Sequence, residues 1–487
     1  MNHFFLQLVA DKKIKRQIKL LQTIYDAHYP ISLEEISNDL DTTTRTLSRD
    51  LKDLDEILPE KDTFQLVKTS GYVISREHDV DNLILHVSEQ SPLFKIIYSI
   101  YDEIFLTIDE WADELFLSPS TLYRYLNHLK KILKEYELEL TLTPVSIVGS
   151  EQNIRFFYFY YLYNTDDVHP EYKPNPKQFA IFEEAYNHFM EHTTIQAHIH
   201  HRSLLYWITV FNKRVAQGHY IKIDQQLIDI QKQAPSYVYI HKLAKILLPD
   251  VPLSDIPEDE IAYMDLLLLD NYIYHEGLRN PDDYPLDSHI SNLIHTFLDD
   301  AFKKMSLQYE NEAINEIFGF YLRNLYLISK VTPVFQKNYY EINKYIKSRH
   351  PKSYTSWLNI LSESPLVKEF NLIFLEDIAV NLTMFSYYAV YKHDLPELNI
   401  YFAFDGKVAY LNYVEILIDN FVNNNLQVTM IANKRITKEM VKELGIDIVI
   451  HNYKDDDEDL GCLTYRTARV PNNHDWDMIS ELVYGAN

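Results

Sequence analysis

The sequence has few cysteines, few glycines and an unfavourable charge for binding anions. Cys462 is the single cysteine among 487 residues. This excludes an internal disulfide framework and a zinc cluster made of several cysteines, and it is typical of a reducing compartment, so we expect a cytoplasmic protein. Nine glycines are too few for a loop-rich all-β fold. The net charge of −25 repels nucleic acid and anionic membranes, so any such binding must come from a local patch.

Long apolar runs are missing as well. At the amino terminus the charges follow a short apolar run instead of preceding it, which is not the order found in secretory signals. No stretch approaches the roughly 18 apolar residues that span a bilayer. A chain of 487 residues with 46% hydrophobic side chains is long enough for several well-filled domains. We therefore expect a mainly helical, multidomain protein that has no contact with membranes.

A segment near the amino terminus occurs twice. Residues 31–58 align without a gap with residues 106–133, and nine of the 28 pairs are identical, where average amino-acid usage gives roughly two. In both copies an S/T-x-x-E capping box predicts the start of a short helix, and a further capping residue predicts a longer helix after a brief turn. The capping residues are Ser32, Glu35 and Thr43 in the first copy, and Thr107, Glu110 and Ser118 in the second.

The longer helix of each copy has two distinct faces. Leucines recur at spacings of four, three and four residues, beginning at Leu47 and Leu122, so they form an apolar stripe that faces a core. The opposite face carries side chains that reach the phosphates and base edges of DNA. These candidate DNA-binding residues are Thr44, Arg45, Ser48, Arg49 and Lys52 in the first copy, and Ser120, Tyr123, Arg124, Asn127 and Lys131 in the second.

Each copy is completed by a preceding helix and a following hairpin. Helices are predicted over 14–26 and 93–105, and hairpins over 64–74 and 138–148. Three helices and a hairpin make a winged helix-turn-helix, in which the last helix enters the major groove of double-stranded DNA.

The charge of these copies leaves two interpretations open. Helix-turn-helix units also serve as protein-docking modules, and residues 1–150 contain 16 basic and 25 acidic side chains. We favour DNA binding because the charges are segregated: residues 118–134 contain four lysines and arginines and no acid, whereas four acids dilute the corresponding helix of the first copy. The second copy is therefore expected to be the stronger phosphate binder.

The helical region from about 155 to 395 contains no P-loop, zinc-protease or α/β-hydrolase motif. Its one concentration of chemistry is a histidine cluster, in which His198 and His201 would share one face of a helix. Satisfied structural histidines, regulatory phosphoryl acceptors and a metal site all fit this pattern, although carboxylates nearby in sequence are lacking for a metal. A weak repeat, with Glu260 and Asp377 each opening an apolar helix, favours two related bundles.

Past Pro396 the pattern changes to short buried strands that alternate with helices, which predicts a largely parallel sheet. The loop after the first strand, residues 404–407, is where such folds place ligands, but it offers one glycine and no nucleophile. Cys462 lies far downstream and is expected to be a packed side chain.

This order of parts resembles the Mga-like transcriptional regulators of Gram-positive bacteria over essentially the whole chain. The local likeness is carried by Ile31 to Leu58, by its copy Leu106 to Leu133, and by the preceding segment from Asp11 to Leu21. The domains that follow from the resemblance are a winged helix-turn-helix over 1–75, a second over 76–155, helical phosphotransferase-system regulation domains over 156–288 and 289–395, and an α/β domain similar to a sugar-transport IIB component over 396–487.

The resemblance also implies a function. The chain is expected to be a DNA-binding regulator, most simply an activator and a homodimer, with RNA polymerase as a further candidate partner. The phosphocarrier protein of the sugar phosphotransferase system is expected to phosphorylate His198 and His201. Leu267 and Met384 stand where related antiterminators carry further histidines. The IIB-like domain lacks the cysteine expected after its first strand, so it is interpreted as an interaction module.

Three other functions are weighed against this one. An RNA antiterminator with the same regulation domains would begin with a small β-rich RNA-binding domain, but residues 1–75 are predicted to be helical. A phosphotransfer enzyme would need a cysteine on the loop over 404–410. A protein adaptor would use the helix-turn-helix units without DNA. We expect no catalytic residue, no cofactor and no metal.

Overall fold

The computed structural model of the chain is mainly helical. It divides into two compact units, Met1–Phe297 with Glu316–Asn381, and Leu298–Asn315 with Leu382–Asn487. No helix among the described residues is both long and apolar enough to cross a membrane. The structure describes residues 3–27, 29–58, 63–67, 70–74, 78–165, 170–174, 198–199, 201–233, 256–273, 286–305, 312–338, 340–393, 398–421, 427–453 and 459–484, with several single positions between 177 and 244.

The first helix-turn-helix copy is a three-helix unit with a hairpin. Ser32 and Glu35 form the predicted capping box, each side chain accepting a hydrogen bond from the other's amide, so α3 starts at a defined residue. Ile31 and Tyr72 exchange two backbone hydrogen bonds of 2.8 and 2.9 Å, which attach the hairpin to the start of α3. The elements are α1 (His3–Leu8), α2 (Lys12–Asp26), α3 (Leu33–Asp39), α4 (Thr44–Ile57), β1 (Phe64–Val67) and β2 (Gly71–Ile74).

The second copy repeats this construction. Thr107 and Glu110 form its capping box, and the amide of Val145 donates to the carbonyl of Leu106 at 2.8 Å, the position that corresponds to Ile31. The predicted helix over 93–105 is shorter in the structure and ends at Tyr101. The elements are α5 (Val80–Ser88), α6 (Pro92–Tyr101), α7 (Ile108–Glu114), α8 (Pro119–Lys134), β3 (Glu139–Leu142) and β4 (Val145–Val148).

The turn between the two helices is the same in both copies. Asp41 and Phe116, 75 residues apart, both adopt the left-handed backbone, with φ of 45° and 53°. The amide of the following residue then donates to an equivalent carbonyl, Thr42 to Ser37 and Leu117 to Ala112, at 3.1 and 2.8 Å. The sequence repeat is therefore a repeat in the backbone as well.

Helix α9 (Glu151–Thr165) is buried on nearly all sides. One side of it packs on the second copy, where the rings of Phe94 and Tyr161 lie 6.1 Å apart. Another side packs on the following bundle, where Phe159 stacks on Trp207 at 4.1 Å. The expected domain boundary between residues 155 and 156 falls inside this helix, which packs against both the second helix-turn-helix copy and the bundle.

Two helical bundles follow. Ile221 donates its amide to Glu260 at 2.9 Å, and 117 residues later Asn338 donates its amide to Asp377 at 2.7 Å. The weak sequence repeat at this offset thus coincides with a repeated hydrogen bond at a helix start. The helices are α10 (His201–Ala216), α11 (Gln225–Lys232), α12 (Glu258–Asn271), α13 (Ser288–Met305), α14 (Glu312–Val331), α15 (Tyr340–Arg349), α16 (Pro351–Ser362), α17 (Leu366–Glu369) and α18 (Leu375–His393), with 3₁₀ turns at Pro170–Tyr172 and Pro333–Gln336.

A short ladder interrupts the helices of this region. Strand β5 (His198–Ile199) pairs antiparallel with β6 (Tyr272–Ile273). The sequence pattern predicts only helices here, because two-residue strands carry no periodicity.

The carboxy-terminal domain holds a four-stranded sheet in the order β10-β9-β7-β8. All its pairings are parallel, as the alternation of strands and helices predicts. The strand β10 is not predicted, because it lies at the edge of the sheet with mostly exposed residues and no apolar run. The elements are β7 (Asn399–Phe404), α19 (Val408–Phe421), β8 (Gln427–Ala432), α20 (Lys438–Leu444), β9 (Ile448–His451), β10 (Leu463–Arg466) and α21 (Asn473–Tyr484).

Candidate DNA-binding surface

The longer helix of each copy, α4 in the first and α8 in the second, occupies the position of the recognition helix in a helix-turn-helix unit. Both recognition helices begin at fixed residues. The hydroxyl of Thr43 accepts a hydrogen bond from the amide of Thr46 at 3.2 Å. Ser118 caps α8 in the same way, 3.2 Å from the amide of Thr121, and Pro119 occupies the first helical position, where its missing amide has no cost. These caps set where each helix begins and therefore which side chains face away from the core.

The leucine stripes hold both helices against their cores, as predicted. Each leucine is at most 6% exposed. Of the ten candidate DNA-binding side chains on the opposite faces, nine are exposed and Thr44 is half-buried. These residues are accessible in the structure, and their contact with DNA stays a prediction. The leucines are Leu47, Leu51, Leu54 and Leu58 in the first copy and Leu122, Leu126, Leu129 and Leu133 in the second.

Acids of the first recognition helix are paired with the preceding helix. Nε of Arg16 lies 2.5 Å from Asp50 Oδ2, and its Nη2 lies 3.0 Å from Oδ1. Asp50 is buried. Nζ of Lys13 lies 2.6 Å from Asp53 and its hydrogen bond lowers the pKa of that carboxyl. The expectation that all four acids dilute the α4 surface is therefore wrong for these two, since α2 neutralises them, and Asp55 and Glu56 remain exposed.

The second recognition helix presents its cations to solvent. Its four lysines and arginines are all exposed, and none of them forms an ion pair with an acid among the residues that the structure describes. Arg124 lies over the ring of Tyr125, 5.7 Å from its centroid. Exposed, unpaired cations on one helix are suited to phosphate contact. The four are Arg124, Lys130, Lys131 and Lys134.

The hairpin of the second copy, formed by β3 and β4, adds little to this positive surface. Its exposed side chains include Glu139 and Thr141, and the hydroxyl of Thr141 is already bonded to the carbonyls of Pro144 and Ser146. Phosphate contact in this copy is therefore expected from α8 rather than from the hairpin.

A buried ion pair lies where the second copy meets the first bundle. Arg155 on α9 binds Glu260 on α12 through two hydrogen bonds of 2.7 and 2.8 Å, and both side chains are fully buried. Arg214 on α10 binds the Glu151 carboxylate at 2.7 and 2.8 Å. A buried pair with this geometry holds its helices in one arrangement. If the helices moved apart, each charge would stay buried without its partner and without water to solvate it, which is strongly unfavourable.

Further polar contacts tie the end of α6 to α10. The side chains of Lys213 and Tyr172 both donate to the Asp102 carboxylate. Gln217 donates to the Tyr101 carbonyl at 3.0 Å. Burial together with the bond to Asp102 raises the pKa of Tyr172. Sequence reasoning missed this network because its partners lie between 41 and 116 residues apart.

The histidine cluster does not form one helical face. Helix α10 begins at His201, whereas His198 belongs to the strand β5, so the assumption that both side chains project from one helix is wrong. Their side chains, and all of Ala197 and His200, lie outside what the structure describes. Leu267 is buried and Met384 is half-buried.

The loop after the first strand of the carboxy-terminal domain is closed by two asparagines. The amide of Asp405 donates to the Asn452 side chain at 2.8 Å, and the amide of Gly406 donates to the Asn433 side chain at 2.9 Å. Phosphate-binding loops need such amides to be free. Burial raises the pKa of the Cys462 thiol, which favours its protonated, unreactive form.

The helix-turn-helix copies match two known family models. Residues 11–70 match the M protein trans-acting positive regulator (MGA) helix-turn-helix domain, and residues 76–162 match the Mga helix-turn-helix domain. Both copies are therefore similar to the helix-turn-helix domains of Mga-like transcriptional regulators. These matches overturn the alternative of an RNA antiterminator, because a helix-turn-helix domain stands where the β-rich RNA-binding domain would be.

Known relatives of this Mga-like chain are regulators and not enzymes. It is 22% identical to the capsule synthesis positive regulator AcpB of Bacillus anthracis over 72% of this chain and 75% of the relative. It is 20% identical to a putative trans-acting regulator of Streptococcus pneumoniae, over 91% and 92%. The anthrax toxin expression trans-acting positive regulator of Bacillus anthracis is 21% identical over 91% and 92%.

Proposed function

We propose that this Mga-like regulator is a transcriptional activator that binds double-stranded DNA with α4 and α8, as a homodimer in the cytoplasm. The observation that carries the proposal is the exposed cationic face of α8, which lies opposite a fully buried leucine stripe. Two of the relatives are named as positive regulators, which supports a role in activating transcription. Two copies in one chain, doubled by dimerisation, raise affinity through effective concentration.

A gel-shift titration across salt concentrations tests DNA binding. Each phosphate contact that is lost lowers the salt slope by about one. We expect the double variant Arg124→Ala, Lys131→Ala to bind DNA more weakly than wild type and with a salt slope that is smaller by about two. The matched control is Lys344→Ala, Lys352→Ala, which removes two exposed lysines from the second bundle and should leave both quantities unchanged.

Two results would contradict this part of the proposal. If the wild-type protein forms no salt-sensitive complex with DNA, the helix-turn-helix copies are protein adaptors. If both double variants lose affinity equally, the effect comes from net charge and not from α8.

The same titration on different DNA sequences distinguishes two kinds of contact. Loss of affinity at particular sequences would indicate base readout, and uniform weakening would indicate backbone contact.

We also propose that the phosphocarrier protein of the sugar phosphotransferase system phosphorylates His198 and His201. The phosphoryl group leaves the carrier and forms an N–P bond with an imidazole nitrogen, adding about two negative charges. His201 is the first residue of α10, where a helix amino terminus favours negative charge. The last turn of α10 and the residue after it contact α9 and the end of α6 through Lys213, Arg214 and Gln217, so α10 connects the histidines to the second helix-turn-helix copy.

Labelling with the phosphorylated carrier tests this switch. We expect His198→Ala, His201→Ala to lose labelling and the response of a reporter to carbohydrate supply. The control His289→Ala, His295→Ala removes two exposed histidines of α13 and should keep both. Unchanged labelling and reporter output in the first variant would rule the switch out. The proposal that the chain binds DNA would still stand.

A further inference from the structure

Phe116 is the most exposed large apolar side chain among the described residues. It is 96% exposed and stands between α7 and α8, two residues before the cap of the recognition helix. Its backbone is left-handed, with φ of 53°, a conformation that is uncommon for any residue with a side chain and an outlier for a bulky one. An aromatic ring that gains no burial and occupies a disfavoured backbone conformation contributes nothing to folding.

The first copy shows what this turn requires. Asp41 occupies the same position with φ of 45°, and aspartate is one of the residues that tolerate this conformation. Glycine would carry no steric cost at all. Since the turn is formed equally well around Asp41, the ring of Phe116 is not needed for its geometry.

The surroundings of Phe116 indicate the charge of what it meets. The helix that leads into it, α7, exposes four acids, of which Glu114 is paired with Lys95 at 2.6 Å. The first cation of α8 comes only at Arg124. Carboxylates at this density repel DNA phosphates, so this surface is complementary to a basic protein surface. The four acids are Asp109, Glu110, Asp113 and Glu114.

We propose that Phe116 anchors a basic, partly apolar surface of RNA polymerase while α4 and α8 hold the DNA. The inference rests on the proposed function, because an activator has to offer the polymerase a surface that stays accessible on the promoter. Exposed aromatic side chains are frequent anchors of protein interfaces, and acids at their rim set orientation and rate of association.

The test compares Phe116→Ala and Phe116→Gly with wild type and with the matched variant Asp41→Gly, all as full chains. Loss of a central aromatic anchor is worth about tenfold or more in binding, so we expect activated transcription with purified RNA polymerase to fall by about that factor in both Phe116 variants. Their affinity for promoter DNA should stay within about twofold of wild type. Asp41→Gly should change neither quantity.

Thermal unfolding shows whether these variants fold. Phe116→Gly removes an exposed ring and a disfavoured backbone conformation, so its midpoint should be no lower than that of wild type. Full activation by both Phe116 variants would overturn the inference and leave the proposed function intact. A parallel loss of DNA affinity and activation would overturn it in favour of a DNA contact. Failure of the wild type to bind DNA would overturn the proposed function itself.

Discussion

The two helix-turn-helix copies share a backbone and differ in how they handle charge. In the first, two acids of the recognition helix are neutralised by the preceding helix, through Arg16 with Asp50 and Lys13 with Asp53. In the second, the recognition helix carries no acid and its cations face solvent. A duplicated fold can therefore reach a cationic surface in two ways, by pairing its acids internally or by replacing them. Net charge over the region does not distinguish these cases.

Exchanging charges between the copies should have the largest effect. Asp55 and Glu56 stand in α4 where α8 has Lys130 and Lys131. The variant Lys130→Asp, Lys131→Glu gives the second copy the acids of the first, and we expect its DNA affinity to fall by more than about tenfold at low salt. The reverse exchange, Asp55→Lys, Glu56→Lys, should raise affinity.

Gel-shift titrations of both exchange variants measure this difference. Two results would contradict the proposed difference between the copies. One is that the reverse exchange weakens binding, and the other is that the two exchanges change affinity by similar small factors. In either case the cations of α8 would not be the source of the difference.

The internal pairing of the first copy should appear as stability. Asp50 is 1% exposed and receives two hydrogen bonds from Arg16, so we expect Asp50→Ala to lower the free energy of unfolding by about 2 kcal/mol. At the equivalent position the second copy has Tyr125, and Tyr125→Phe should cost less than about 1 kcal/mol. Urea unfolding measures both values. Equal losses would show that the Arg16–Asp50 pair has no special role.

The capping boxes should respond alike, since they are alike in both copies. Ser32→Ala and Thr107→Ala should each cost about 1 kcal/mol of stability. Hydrogen bonds from the capping residues lower the pKa values of Glu35 and Glu110 below their ordinary 4.5. The carboxylate's part of each box is therefore fully present above pH 4.5 and is lost as the pH falls through the lower folded-state values. The gap between the urea midpoints of wild type and the two variants should narrow down this pH range without closing, because the hydrogen bond from the glutamate amide to the capping hydroxyl does not titrate. A clear difference between Ser32→Ala and Thr107→Ala would mean that the two boxes are not equivalent.

Local patterns predicted the helix-turn-helix copies well. The leucine spacing and the capping residues are features of neighbouring positions, and the structure keeps both, with Leu47 and Leu122 fully buried. The alternation of strands and helices predicted the parallel sheet for the same reason. Strand β10 was missed because it is an exposed edge strand, and such a strand has no apolar pattern.

Contacts between distant residues were beyond such patterns. The partners Arg16 and Asp50 lie 34 residues apart, and Arg155 and Glu260 lie 105 apart. Each looks like an ordinary surface charge in the sequence, and only the packing of α2 on α4 and of α9 on α12 brings it to its partner. The prediction that His198 and His201 share one helical face is wrong for a similar reason. Pairing with the distant strand β6 makes His198 part of a strand.

Cleavage of DNA from the two recognition helices tests the central claim most directly. The chain has one cysteine, so Cys462→Ala provides a background in which Ser48→Cys, Asn127→Cys or the control Ser356→Cys can carry an iron chelate that cleaves nearby DNA. The account predicts cleavage from residues 48 and 127 at two separate places on the promoter, and none from residue 356. Cleavage from neither recognition helix, in a complex that forms with full affinity, would contradict it.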